Sequence, residues 1–332
     1  MNSDKADPCI ADFAEHTRHL FVDVAQASDI AKGARPARRA VFRKTHGIAS
    51  ARMILDPSRP YEVRAGIFIG DAYDLWVRFS SDVAPDSDDA ENGTIGIGMK
   101  LFGVSPPSLA AIDPNAPTAD ILLQNHDVFF VDTGHDMCVF TDLALKGRID
   151  DWFKDHPETK QILVDMAKHE ESVLTATYWS VLPYDCGSAG PVKYRLRPLQ
   201  AEPSRAPADD PNRLRKDLAE RLLAGTAAFS FDIQMPKAGT TLPTDRATMR
   251  WEEADAPFLS IGCIEFPRQD IRAEGQASYG DNLTFAPWRV PVANQPLGSI
   301  AESRRSAYPS SAAARHFVNG VPDSEPHEPR RA

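Results

Sequence analysis

A tyrosine near the end of the chain is followed directly by proline and lies in a cationic segment. The segment reads Arg304-Arg-Ser-Ala-Tyr308-Pro and continues to Arg315. A phenolate is a hard anionic ligand for ferric iron, but a normal pKa near ~10 means that a cation must stabilise it at neutral pH. If the segment is helical, Arg304 lies one turn before Tyr308 on the same face and can supply that charge. Taken alone, the segment is also typical of an exposed basic helix end.

A second pattern is Trp76-Val-Arg78-Phe-Ser80. Strand alternation places Arg78 and Ser80 on one side, with Val77 and Phe79 on the other. An arginine that faces a barrel interior needs an anion, and a carboxylate satisfies it through two parallel hydrogen bonds. The opposite arrangement, with Phe79 inward and a solvated outer face, stays open.

The third pattern is Leu123-Gln-Asn125-His126-Asp-Val-Phe129-Phe130. A buried Asn125 offers both a donor and an acceptor, which suits the orientation of a peroxide or a water. The two phenylalanines are suited to flank a flat macrocycle. A strand end with an Asx turn is the alternative for the same residues.

The fourth pattern is Arg39-Ala-Val41-Phe42-Arg-Lys-Thr-His46-Gly47. A histidine on a strand near the other three patterns is a candidate for general acid-base catalysis. A hydrogen-bonded core histidine is the alternative interpretation of His46.

Short strands and later helices must position these residues. Strand-like runs cover 39–55, 73–81, 94–103, 121–131, 191–198, 227–236 and 258–267, each rich in β-branched or aromatic residues and bounded by Pro, Asp or Gly. Helical periodicity covers 10–33, 137–178 and 211–225, and a short helix is predicted at 297–307. This order predicts an α+β fold, a barrel with helical decoration.

The four patterns occur in the order and spacing of haem catalases. From about Pro36 to Asn319 the chain resembles the small, haem-binding branch of the catalase-like family, including Phe285-Ala-Pro-Trp288 and Pro296-Leu-Gly298. The resemblance implies an antiparallel eight-stranded barrel that encloses haem b. We expect a helical arm over residues 1–34, a haem-binding domain over 35–320 and a disordered tail over 321–332.

The resemblance also implies roles for individual residues. Tyr308 would be the proximal iron ligand, stabilised by Arg304, and Asn125 would hold peroxide on the distal side. The propionates would be bound by Arg39, Arg78 and Arg315, near the Ser80 hydroxyl. The macrocycle would have Val41 above it and Phe130 beside it.

One position departs from the family. The family pattern is R-x-V-H-A-K-x-H-G, and this chain has Phe42 where the first histidine, the distal catalytic one, should stand. A phenyl ring cannot exchange a proton with peroxide, so fast catalase turnover should be lost. In an alternative register Arg43-Lys-Thr-His46 makes His46 the distal histidine, and His126 is a third candidate. These alternatives stay open.

We therefore expect a haem-dependent oxidoreductase, weak as a catalase, that acts on hydrogen peroxide or an organic hydroperoxide. The alternatives are a hydroperoxide isomerase or dehydratase of the allene-oxide-synthase kind, a non-catalytic haem carrier or sensor, and a haemless barrel. Acidic residues outnumber basic ones, 47 to 37, which disfavours nucleic acid and anionic membranes as partners. No apolar run is long enough to span a membrane.

Four scattered cysteines without a CxxC pair favour a reducing cytoplasm, with Cys138 and Cys186 buried and inert. A homo-oligomer is also expected, by analogy with larger catalases.

Overall fold

The computed structural model describes residues 8–105, 108–204, 206–207 and 209–331. Residues 1–7 of the predicted arm and residue 332 of the predicted tail lie outside this part of the chain. The described arm starts with α1 (Pro8–Arg18), passes through a π-helical segment (His19–Gln26) and ends with α2 (Ala27–Ala31).

Eight strands form a closed antiparallel barrel in which each strand pairs with its neighbours in sequence. They are β1 (Lys44–Leu55), β2 (Ala72–Ser81), β3 (Ile95–Phe102), β4 (Thr118–Gln124), β5 (Tyr178–Trp179), β6 (Lys193–Pro198), β7 (Ala227–Gln234) and β8 (Phe258–Phe266). Pairing of β1 with β8 closes the barrel. The predicted α+β class and the eight-stranded antiparallel barrel are confirmed.

Helices surround the barrel. They are α3 (Gly134–Leu145), α4 (Ile149–Asp155), α5 (Pro157–Met166), α6 (Arg213–Ala224), α7 (Gln276–Asn282) and α8 (Ser299–Asn319), with 3₁₀ turns at Tyr61–Val63, Gly66–Phe68, Asp89–Glu91, Gly187–Ala189 and Val292–Asn294. No helix among the described residues is long and apolar enough to cross a membrane.

Apolar side chains fill the barrel interior. Every second residue of each long strand joins one buried cluster, with Val77 and Phe79 from β2 and Ile121 and Leu123 from β4 as examples. The opposite strand faces carry polar and small residues together with a second apolar cluster that includes Ile48, Trp76 and Phe102. Of the two arrangements that strand alternation left open, the one with Phe79 inward is observed, and Arg78 faces outward because apolar side chains occupy the interior.

Helix α8 is longer than the predicted 297–307 segment. It continues through Tyr308 and Pro309 to Asn319 and ends at Gly320, whose φ of 66° is in the left-handed region. A proline within a helix removes one backbone hydrogen bond and strains the turn before it. Packing of buried Ile300, Ala301 and Ala312 along the helix offsets that cost.

A disulfide joins Cys9 of α1 to Cys138 of α3. The expectation that Cys138 is an inert thiol is therefore wrong, and the periodicity of α1 gave no signal of its partner. Cys186 is a buried free thiol, and burial raises its pKa to about 12. Disulfides are uncommon in reducing compartments, so a cytoplasmic location stays a prediction.

The C-terminal tail packs against the barrel, although its composition suggests disorder. Glu325 is 5% exposed and contacts Lys100 of β3, which is also paired with Asp120 of β4. Arg289 approaches the same carboxylate at 3.4 Å. Two cations and two carboxylates thus share one buried site, a long-range arrangement that local composition does not reveal.

Candidate functional site

A cavity of about 480 Å³ lies between the barrel and the helices. One wall is formed by the outer faces of β2, β3 and β4, and the other by α3 and α8. Residues 39–42 and the helical arm border it as well. Most of the wall is apolar, contributed by residues such as Phe21, Phe129, Phe130, Met137, Phe140, Leu145, Met166 and Phe285. The space suits a large, flat and largely apolar ligand.

Two glycines of β3 create room on the barrel side of the cavity. Gly96 pairs with Ser80 on one side and Gln124 on the other, in the middle of the three-strand wall. A Cβ atom at Gly96 would come within 2.5 Å of the Phe42 ring, and a Cβ at Gly98 would come within 3.1 Å of the Phe285 ring. Glycine at these two positions lets both rings approach the sheet.

Three arginines converge at one end of the cavity. Arg78 and Arg315 are buried, at 5% and 2% exposure, and Arg39 is partly buried. Arg78 donates to Phe42 O, Thr45 Oγ1 and Ser80 Oγ at 2.7–2.9 Å. The Nε atoms of Arg78 and Arg315 have no hydrogen-bond partner among the described residues.

The electrostatics of this cluster are unbalanced. Desolvation and the neighbouring arginines lower the pKa of Arg78 and of Arg315 well below the usual value, and desolvation lowers that of Arg39 to about 10. Asp281 is the carboxylate that acts on all three, and it is already paired with Arg38. The cluster therefore offers a site for an anionic ligand with carboxylate groups.

Helix α8 places Arg304 and Tyr308 one turn apart, and both side chains line the cavity. The Arg304 guanidinium lies 5.2 Å from the centre of the Phe129 ring. Tyr308 is partly buried. Both side chains lie on the helix face that borders the cavity, as their spacing predicted.

Phe42 also lines the cavity, with Val41 beside it. Its backbone has a φ of 52°, which is a left-handed conformation that a bulky residue seldom adopts. Two contacts hold this conformation: the Phe42 N–H donates to Asp82 Oδ1 at 3.1 Å, and Arg78 donates to the Phe42 carbonyl. An aromatic ring thus occupies the cavity wall where a histidine was sought.

Three predicted catalytic residues do not line the cavity. Asn125 is fully buried, accepts from the Ile95 N–H and donates to Glu170. His46 is buried, with Nε2 2.6 Å from Ser81 Oγ, and His126 lies beside Asp127. The structure does not place these three side chains with Tyr308.

Sequence reasoning missed two polar residues of the cavity wall. Gln124 is 7% exposed, lines the cavity and has an unpartnered Nε2. Asp82 follows β2 directly and lines the cavity as well. Strand alternation along β4 could have indicated Gln124. Because Ile121 and Leu123 face the barrel interior, Leu122 and Gln124 must face outward.

Comparison with known proteins identifies the fold. No family model matches the chain. The chain superposes on a fungal catalase with a TM-score of 0.66 and 16% identity, covering 90% of this chain and 64% of that structure. It matches a bacterial catalase with a TM-score of 0.66 and 18% identity, over 88% of this chain and 59% of that structure. The fold is catalase-like.

A sequence relative points the same way. A catalase-related peroxidase from Mycolicibacterium paratuberculosis is 27% identical over 259 residues, which are 73% of this chain and 78% of the relative. This catalase-like chain spans about three-fifths of the length of the two solved catalases.

Proposed function

We propose that this catalase-like chain is a haem-dependent enzyme that reacts with hydrogen peroxide or an organic hydroperoxide. The observation that carries the proposal is the arginine cluster, in which Arg39, Arg78 and Arg315 face the cavity without enough carboxylates to balance them. Buried charges without partners are costly, so such a cluster is expected where an anionic ligand belongs. The matched relative, named a catalase-related peroxidase, supports the reaction class.

The residues present fit a haem. The arginines would bind the two propionates, and the unpartnered Nε atoms of Arg78 and Arg315 are free donors for them. Tyr308 would be the iron ligand, with Arg304 one turn earlier to stabilise the phenolate. The apolar wall that includes Phe130 would pack against the macrocycle. A bound haem would supply a redox-active iron for peroxide chemistry.

The chain's own residues define what else can happen in the cavity. Gln124 presents an amide N–H that can donate to a peroxide oxygen and orient it, the task that the sequence assigned to Asn125. Phe42 excludes water and offers no proton. General acid-base catalysis is typically worth ~10²–10⁴-fold, and phenylalanine at this position contributes none of it, so any proton transfer in the cavity must come from another side chain.

The apolar wall favours an organic hydroperoxide over hydrogen peroxide. Phe42 and the phenylalanines of the wall offer contacts to a hydrocarbon chain that a small polar peroxide cannot use. The same observation favours rearrangement of a fatty hydroperoxide as a second candidate reaction. The two reactions differ in their products, an alcohol in the first and an isomer or dehydrated product in the second.

The visible spectrum of protein expressed with a haem precursor tests the proposal. We expect a ferric spectrum that changes on addition of hydroperoxide, and Tyr308→Phe should alter it strongly. Tyr61→Phe, at a tyrosine that is 83% exposed, is the matched control. A colourless protein would overturn the proposal, and haem that exchanges readily without any turnover would identify a carrier or sensor instead.

A further inference from the structure

The end of β2 brings a carboxylate to the cavity wall beside Phe42. Asp82 comes directly after the strand, and its N–H donates to the Thr94 carbonyl at 2.9 Å, which fixes the backbone. Its Oδ1 accepts the Phe42 N–H at 3.1 Å. Protein surrounds the side chain on most sides, and its accessible surface borders the cavity. The carboxylate is therefore held by one backbone contact and remains accessible to a ligand.

We propose that Asp82 is the proton-transfer group of this cavity, taking the place of the missing distal histidine. This inference rests on the proposed haem-dependent function and adds a catalytic residue to it. Among the described residues that line the cavity, Asp82 is the one carboxylic acid, and histidine, lysine, glutamate and cysteine do not occur there. The arginines stay protonated, and Tyr308 is assigned to the iron.

The environment of Asp82 suits a base. Desolvation raises its pKa above the usual value, while the Phe42 N–H and the charge of Arg43 oppose the shift. Arg43 itself forms an ion pair with Asp29 of α2 at 2.7 Å, which reduces its influence. A carboxylate with a raised pKa accepts a proton more readily than an ordinary one, and efficiency in general acid-base catalysis follows that trend.

A donor lies on the same wall. Gln124 is on β4, and Gly96 separates it from β2 by a single strand. Its unpartnered Nε2 can donate a hydrogen bond to a ligand oxygen, and the Phe42 ring covers the Gly96 position between the two strands. An acceptor and a donor of this kind are what the binding of a protonated small ligand requires.

The proposed step moves one proton and no electrons. The O–H bond of a hydroperoxide breaks, its electron pair stays on oxygen, and a new O–H bond forms on the Asp82 carboxylate. Binding of hydrogen cyanide as cyanide makes the same demand on a base, so it reports the step without turnover.

The test compares Asp82→Asn with Asp86→Asn, an exposed aspartate in the same loop. The asparagine can still accept the Phe42 N–H, so the fold should be kept. We expect the haem spectrum and haem affinity to be unchanged in both variants. Cyanide association should slow by about 10²–10⁴-fold in Asp82→Asn alone, and the pH inflection of that rate should disappear. Asp82→Glu should restore part of the rate.

A second readout does not need haem. Burial also raises the pKa of Asp120, to about 6. Infrared difference spectra of the haem-free protein should therefore show, beside the Asp120 signal, a carboxyl group with a raised pKa that is absent from Asp82→Asn and present in Asp86→Asn. Haem-bound Asp82→Asn with unchanged cyanide and peroxide rates would overturn the role of Asp82 and leave the proposed function standing. A wild-type protein that never binds haem would overturn both.

Discussion

Arg39 and Arg315 donate to the same main-chain carbonyl, that of Leu283. One comes from the segment before β1 and the other from α8, so a single acceptor aligns two guanidinium groups towards the cavity. Removing one arginine leaves the carbonyl with a donor. The shared contact therefore allows each arginine to be tested separately.

Arg315→Gln should weaken haem binding without unfolding the protein. A hydrogen bond to a charged group contributes ~1.5–3 kcal/mol, so the dissociation constant should rise by roughly 10–100-fold. The haem-free variant should keep or gain thermal stability, because a poorly compensated buried charge is removed. Haem titration and thermal unfolding measure the two effects. Arg305→Gln on the exposed face of α8 is the control, and an equal loss of affinity there would contradict the assignment.

Substitution of Gln124 should slow the reaction, whereas substitution of Asn125 should lower the stability of the protein. Gln124→Met removes the amide that faces the cavity, and we expect the rate of reaction with hydroperoxide to fall roughly 10²-fold at unchanged stability. Asn125→Ala leaves the buried Ile95 N–H without an acceptor and should cost ~1–3 kcal/mol of unfolding free energy. Rapid mixing and chemical denaturation measure these quantities. A large stability loss in Gln124→Met would show a structural role.

Phe42→His should raise oxygen release from hydrogen peroxide. The ring position is held by Asp82 and Arg78 through the backbone, so an imidazole would enter the same place in the cavity. The expected gain is ~10²–10⁴-fold, measured with an oxygen electrode. Phe42→Leu is the control for a simple change of volume. A haem-bound Phe42→His variant with no gain would speak against the chosen register.

His46 should make the protein less stable in acid. Desolvation, with help from the Lys44 charge, lowers its pKa well below the usual value. Below about pH 6.5 the unfolded chain therefore binds more protons than the folded protein does. The free energy of unfolding, which is highest above that pH, decreases as the pH falls. His46→Gln should flatten this dependence in denaturation at pH 5 and pH 7. The exposed His327→Gln should retain the wild-type slope.

The disulfide should stabilise the arm. A bridge of this kind typically contributes ~2–4 kcal/mol, and it joins residues that are 129 positions apart. Replacing both Cys9 and Cys138 with serine should lower the unfolding free energy by that amount. A reductant should lower the unfolding free energy of the wild type by the same amount and leave that of the double variant unchanged. Identical unfolding curves of the wild type with and without reductant would contradict the bridge.

The tyrosine and the arginines of the cavity wall could be found from the sequence because four patterns kept their order and spacing. Tyr308, Arg304, Arg39, Arg78 and Arg315 all line the cavity. Their catalytic and binding roles stay predictions until they are tested.

Other features could not be found in this way. Alternation showed that Arg78 and Phe79 face opposite sides of β2, but it cannot tell which side is the barrel interior. The resemblance gave the distal role to Asn125, whereas strand parity places Gln124 on the cavity wall. The Cys9–Cys138 bridge and the Glu325 contact join distant parts of the chain, which no local pattern encodes.

The buried site of Glu325 has a practical consequence for anyone who shortens this protein. Lys100 and Arg289 belong to the central domain, yet one of the two carboxylates that neutralise them comes from the last residues of the chain. Trimming the apparent tail at Gly320 would leave an excess positive charge inside the protein. An affinity tag is better appended after Arg331 than exchanged for the residues before it.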